Sequence, residues 1–123
     1  MKTITISHAV SVQFLKEVLT TAVEGGISYW AQATGPAERD SGHNVVQVEL
    51  EPSEGPDEFE KKLVTTDTVA AGIEKVMSAG FSVNPQIPSD ILQALGANDT
   101  GYIDAMDADV IIQAGLFGEI VYG

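Results

Sequence analysis

The chain has 123 residues, no cysteine, and eighteen acids against six bases, a formal charge of −12. Without cysteine there is no disulfide, thiolate metal site or cysteine nucleophile, and so acidic a chain lacks the basic face that neutralises the phosphates of a nucleic acid. Its 44% hydrophobic content suits one globular domain over 1–123; no apolar run reaches the roughly eighteen residues of a membrane span and no signal peptide opens the chain, which leads to the expectation of a cytoplasmic protein.

Lys2–Ile6, rich in β-branched residues, reads as a short strand. Ser7 is placed to cap a helix whose stripe is Val10, Phe14, Val18 and Ala22, widened by Leu15, Leu19 and Val23. Gly25-Gly26 is expected to end it through left-handed geometry. Ile27–Ala33 then reads as a strand with Tyr29 and Trp30 on opposite faces. After a turn-rich stretch, Val46, Val48 and Leu50 alternate with Gln47, Glu49 and Glu51, the pattern of a strand wet on one face, so 27–51 is expected to form an antiparallel hairpin. Residues 52–58 form a Pro- and Gly-punctuated loop, and Phe59–Thr65 reads as another strand. Thr66 or Asp67 caps a helix through Val69, Ile73, Val76 and Met77 that ends near Gly80. Pro85 and Pro88 break the chain before a short helix, Ser89–Leu95. The last helix starts near Tyr102 and runs to Leu116 or Phe117, followed by the apolar tail Ile120-Val121-Tyr122. This order predicts an α+β fold: one compact domain, with a small antiparallel sheet of three to four strands packed against three to four helices.

The acids fall in two tracts. Glu49, Glu51, Glu54, Asp57, Glu58 and Glu60 occur with no base among them, and beyond Lys75 there is no base at all while Asp90, Asp99, Asp104, Asp107, Asp109 and Glu119 follow. Solubility alone accounts for such charge; the sharper expectation is a surface that imitates a row of phosphates and enters the basic channel of a nuclease or helicase. His8, at a helix start, and His43, in a turn, belong to no recognisable catalytic arrangement. Asp99, Asp104, Asp107 and Asp109 are candidate ligands for a hard cation, but their spacing does not match a twelve-residue calcium loop, and acids at a helix start complement its dipole. No metal or cofactor is expected. Gly25-Gly26 follows a helix rather than preceding one, the wrong end for a phosphate.

The final helix is apolar nearly all round (Ile103, Met106, Val110, Ile111, Ile112, Leu116, Phe117) and is therefore expected to be buried. Glu24, Tyr29, Trp30, Asp104, Asp109, Gln113 and Glu119 are polar or amphipathic residues set in apolar text. Any of these acids drawn inward needs donors, and with six bases in the chain backbone amides, Tyr and Trp are the expected ones.

Two segments, Thr20–Ala31 (TTAVEGGISYWA) and the set Gly101–Ala105, Ala108–Gln113 and Leu116–Gly123 (GYIDA, ADVIIQ, LFGEIVYG), resemble a family of small acidic proteins encoded by phages, plasmids and the bacteria that carry them. The resemblance covers about a third of the chain and implies no mechanism, only a genetic setting in which small acidic proteins often inhibit host defence enzymes. The leading expectation is thus a non-enzymatic inhibitor, anti-CRISPR or anti-restriction. It would contact a host protein with a basic nucleic-acid-binding surface through Glu49–Glu60 and the C-terminal aspartates, without binding nucleic acid or membrane itself. A second reading is a small enzyme or ligand-binding module built on Glu24, Tyr29, Trp30, Asp104 and Asp109. A third is a structural or homo-oligomeric phage component that associates through Ile120-Val121-Tyr122.

Overall fold

The computed structural model describes residues 10–52 and 60–123. The expected first strand Lys2–Ile6, the cap Ser7, His8, and the acids Glu54, Asp57 and Glu58 lie outside the described residues. Within them the fold is α+β, with four α-helices and a four-stranded antiparallel sheet. No described helix is long and apolar enough to cross a membrane.

Helix α1 is Val12–Thr21, one turn later than expected, because Ser11 rather than Ser7 caps it: the Ser11 hydroxyl accepts from the Phe14 amide. Phe14, Leu15, Val18 and Leu19 form its buried stripe. The helix then widens into a π turn, Ala22–Gly26, closed by the Ile27 amide donating to the Ala22 carbonyl at 3.1 Å. Gly25 and Gly26 do not use left-handed geometry there; positive φ among the described glycines occurs at Gly80 and Gly118.

Residues 27–30 are a turn rather than strand, with the Trp30 and Ala31 amides both donating to the Ile27 carbonyl. Strand β1 is Ala31–Ala33, β2 is Glu38–Arg39 and β3 is Val45–Pro52. β1 and β2 lie end to end along one edge of β3, and β4 (Lys62–Thr65) pairs along the other. The antiparallel pairing of this region is as expected, but its alternation is broken once. Glu38 pairs with Gln47 and Arg39 with Val45, so Val46 is an extra residue, a β-bulge. Val45 and Val48 therefore both point inward while Val46 is only half-buried. The turn before β3 is tied to α1 twice. Thr20 Oγ1 accepts from the Val45 amide at 2.8 Å, and Lys16 pairs with Asp40 at 2.9 Å.

Thr65 starts α2 (Thr66–Val76) with a reciprocal capping box shared with Thr68, in place of the expected caps Thr66 or Asp67. Helix α3 is Gln86–Ala97, longer than expected because Pro88 sits inside its first turn, where a missing N–H costs nothing. A 3₁₀ turn, Thr100–Tyr102, leads to α4, Ala105–Phe117, whose cap is Asp104.

Helix α4 is the centre of the helical layer. Eight consecutive residues, Asp107–Ala114, are buried, so every direction around the helix is covered, by α1, α2, α3 and the π turn. It meets α2 backbone to backbone. A Cβ at Gly72 of α2 would collide with the Ile111 carbonyl, and a Cβ at Gly115 of α4 would collide with the Thr68 carbonyl. Each helix thus presents a glycine notch to the other's main chain. Gly72→Ala and Gly115→Ala are each expected to force the helices apart and to cost about 3 kcal/mol, an overpacking penalty. Thermal melting checks this; a Tm within a degree of the unaltered protein for both would show that the notches are not needed.

Candidate functional site

The polar residues that the sequence sets in apolar text separate into three places. The first is a buried network on α4. Asp109 is 7% exposed and Gln113 fully buried, one turn apart on the same face. The turn after the π segment brings two rings over them: Trp30 Nε1 donates to Asp109 Oδ1 at 2.7 Å, and the Tyr29 hydroxyl donates to Asp109 Oδ2 at 2.6 Å. Gln113 Nε2 adds a third donor to Asp109 Oδ1 at 2.9 Å. Tyr29 and Trp30 therefore converge on one carboxyl rather than dividing between opposite strand faces, because the backbone there is a turn. Burial first, then the hydrogen bond and charge of Asp109, push the Tyr29 phenol up to about 12. The donors are Trp, Tyr and an amide, as the shortage of bases implies.

The same Gln113 holds segment 119–123. Its Oε1 accepts from the Val121 and Tyr122 amides at 2.9 and 2.8 Å, and its Nε2 reaches the Tyr122 carbonyl at 3.0 Å. The Tyr122 ring stacks on Trp30, with centroids 5.0 Å apart and planes within 6°. Phe117 stands edge-on to Tyr122 at 6.1 Å. The apolar tail read from the sequence as an association surface is thus engaged within its own chain, although Val121 remains 51% exposed. Gln113 and Tyr122 were not singled out together by the sequence; their nine-residue separation across a glycine-ended helix was the available signal.

The second place is the start of α4. Asp104 Oδ1 accepts from the Asp107 amide, and Asp107 Oδ2 from the Asp104 amide, a reciprocal box. Asp90 of α3 joins them, and the three carboxyls have oxygens within 4.8 Å of one another. This is the closest approach to a cation site among the described residues, and it differs from the set weighed in the sequence. Asp99 instead caps the 3₁₀ turn by accepting from Gly101, and Asp109 belongs to the network above. Asp107 is 1% exposed. Burial first, and also the carboxyls of Asp90 and Asp104, push it up to about 7, against the opposing pull of the Asp104 amide.

The third place is the surface. Glu24 is exposed and pairs with Arg39 at 3.3 Å, apart from Asp104 and Asp109, so the five residues of the ligand-module reading do not form one site. His43 is an exposed turn residue with φ 66°. The aspartates of α4 do not join the acidic face either, since Asp107 and Asp109 are buried. The register of the sheet does assemble an outer face. Gln32 pairs with Glu51, Glu38 with Gln47, Glu49 with Leu63, and Gln47 with Thr65. Cross-strand partners point to the same side, so Glu38, Glu49 and Glu51 share one face around Leu63, itself 56% exposed. Glu60 is exposed just before β4.

Comparison with protein-family models, with curated proteins and with solved structures finds no match for this chain. No family is assigned. What the chain does must be argued from its own geometry.

Two outcomes test the buried sites. Asp109→Asn replaces one of the two accepting oxygens by an NH2 group, which then faces either the Tyr29 hydroxyl or the Trp30 and Gln113 donors, and is expected to cost about 2 kcal/mol; denaturant unfolding reads it. For Asp107, the folded value near 7 lies above the ordinary 3.8. The fold therefore favours the protonated form, and that contribution is full below about pH 4 and lost as pH rises through 7. Tm should fall from about pH 4 to about 7 and level off above that, and Asp107→Asn should flatten the fall; equal pH profiles would overturn this assignment.

Proposed function

We propose that this protein is a non-enzymatic binding protein whose acidic sheet face docks on the basic nucleic-acid-binding surface of another protein, in place of the nucleic acid. The observation that carries the reading is the shared outer face of Glu38, Glu49 and Glu51. Glu49 and Glu51 are two residues apart on β3, about 6.7 Å along the strand, a repeat of the order of that between neighbouring phosphates on one strand. Arg39, next to Glu38, is engaged with Glu24, while Lys61 and Lys62 lie exposed just before Leu63 at the start of β4. Leu63 and a shallow depression lined by Thr34, Pro36, Glu38 and Glu49 provide an apolar anchor within the charged field, where contact energy concentrates while the charges set approach and orientation.

The resemblance to small acidic proteins of phages and plasmids directs the choice of target toward CRISPR and restriction enzymes. The ligand-module reading is supported less well. Its carboxyl Asp109 receives three protein donors, Asp104 works in a capping box, and Glu24 faces Arg39.

The test is inhibition of DNA cleavage by a panel of restriction and CRISPR nucleases at low and moderate salt. The unaltered protein should inhibit at least one, less so as salt rises. The triple variant Glu38→Lys, Glu49→Lys, Glu51→Lys, with unchanged far-ultraviolet circular dichroism, should lose at least tenfold in potency. Equal inhibition by the triple variant, or none across the panel, would sink the reading.

A further inference from the structure

Segment 119–123 is held against its own domain by main-chain hydrogen bonds and one stacked ring. Gly118, with φ 73°, ends α4 and turns the chain back. From there the segment has no helix or strand of its own. One residue, Tyr122, is gripped on every side: its amide and carbonyl by the two ends of the Gln113 side chain, its ring by Trp30 and Phe117. The Tyr29 hydroxyl also lies 3.3 Å from the Tyr122 carbonyl. Glu119 and Val121 point to solvent. Recognition therefore reads main-chain groups and one aromatic ring, the two elements by which proteins bind extended peptides.

The walls of the slot are also held by contacts that do not involve its occupant: Gln113 Nε2 and Trp30 Nε1 both donate to Asp109 Oδ1, within the core assembled by α4 and the turn after α1. What fills the slot is joined to that core by a glycine. We infer that Trp30, Gln113 and Phe117 form a binding slot for an extended segment carrying an aromatic residue, that residues 119–123 occupy it in cis, and that the same segment of a second copy enters it in trans. The second copy is the occupant because the segment that fits the slot is the chain's own, and every copy carries it. Exchange of identical elements replaces each contact by its twin, so little contact energy separates the two arrangements. A segment tethered this closely has an effective concentration of the order of millimolar, so the cis form dominates in dilute protein. Two copies each carrying −12 repel, and salt screens that repulsion. Trans occupancy should therefore rise with salt, opposite to docking on a basic partner.

Trp30 is the chain's single tryptophan, so its emission reports the slot directly. Two full-length variants weaken the occupying segment, in cis and in trans alike, and leave the walls of the slot intact: Tyr122→Ala removes the stacked ring, and Val121→Pro removes one amide donor at a half-exposed position. The probe is the peptide Gly-Glu-Ile-Val-Tyr-Gly, residues 118–123. It should give a saturable change in Trp30 emission with both variants, at least tenfold weaker with the unaltered chain, and none when its tyrosine is replaced by alanine. By analytical ultracentrifugation, the unaltered chain at high concentration should show a dimer fraction that grows with salt and drops at least fivefold in both variants. Failure of the peptide to bind either variant overturns the slot. Peptide binding with no dimer at any salt, or with equal dimer in all three proteins, overturns the second copy as its occupant. Neither result depends on Glu38, Glu49 or Glu51, so this inference and the docking of the sheet face fail separately.

Discussion

Burial of α4 on all sides is the constraint from which the rest of the molecule follows. A helix covered in every direction cannot keep its neighbours at ordinary side-chain distance without a larger core than a chain of 123 residues can supply. The solution is contact between main chains. Gly72 and Gly115 remove the Cβ atoms that would otherwise separate α2 from α4. The rest of the core is then supplied by the stripes of α1 and α3 and by Val48, Leu50 and Val64 of the sheet.

The same burial dictates what becomes of polar residues on α4. Asp107, Asp109 and Gln113 are the buried polar side chains of the described residues, and each stands on this helix. A buried carboxyl without donors costs several kcal/mol, and this chain has few cations to offer. Asp109 is stabilised instead by ring N–H, phenol and amide donors, at distances from 2.6 to 2.9 Å. Asp107 takes another route, protonation beside Asp90 and Asp104 together with an accepted backbone amide. No buried side-chain polar atom among the described residues lacks a partner, so the network fixes the rotation of α4 and the position of the turn that carries Tyr29 and Trp30.

Much of this was legible before any coordinates. The stripes of α1 and α2, the all-round apolarity of the last helix, the antiparallel sheet and the recourse to Trp and Tyr donors all follow from spacing and composition. The errors have local physical causes. Ser11 is as good a cap by type as the expected Ser7, so residue type alone does not place the start of α1. The strand over 27–33 failed at its first half because residues 27–30 form a turn, with the Trp30 and Ala31 amides donating to the Ile27 carbonyl. Val46 was placed inward by strict alternation, whereas a bulge opposite Glu38 and Arg39 shifts the phase. The glycine notches carried a readable signal, isolated glycines inside helical text, but a close backbone approach needs a partner chain segment that sequence spacing does not name.

The division of acids between interior and surface explains how one charge surplus serves two ends. Asp107 and Asp109 on α4 are withdrawn from solvent, Asp109 onto three hydrogen-bond donors, so their carboxyls are not presented at the surface. The acids of the sheet are left in water because β3 alternates, and its register gathers them with Glu38 on one face. An acidic chain that placed its charge evenly would gain solubility and nothing directional. Here the core takes the acids it can satisfy and the sheet concentrates part of the remainder, and it is on that asymmetry, rather than on the net charge, that the proposed docking to a basic partner rests.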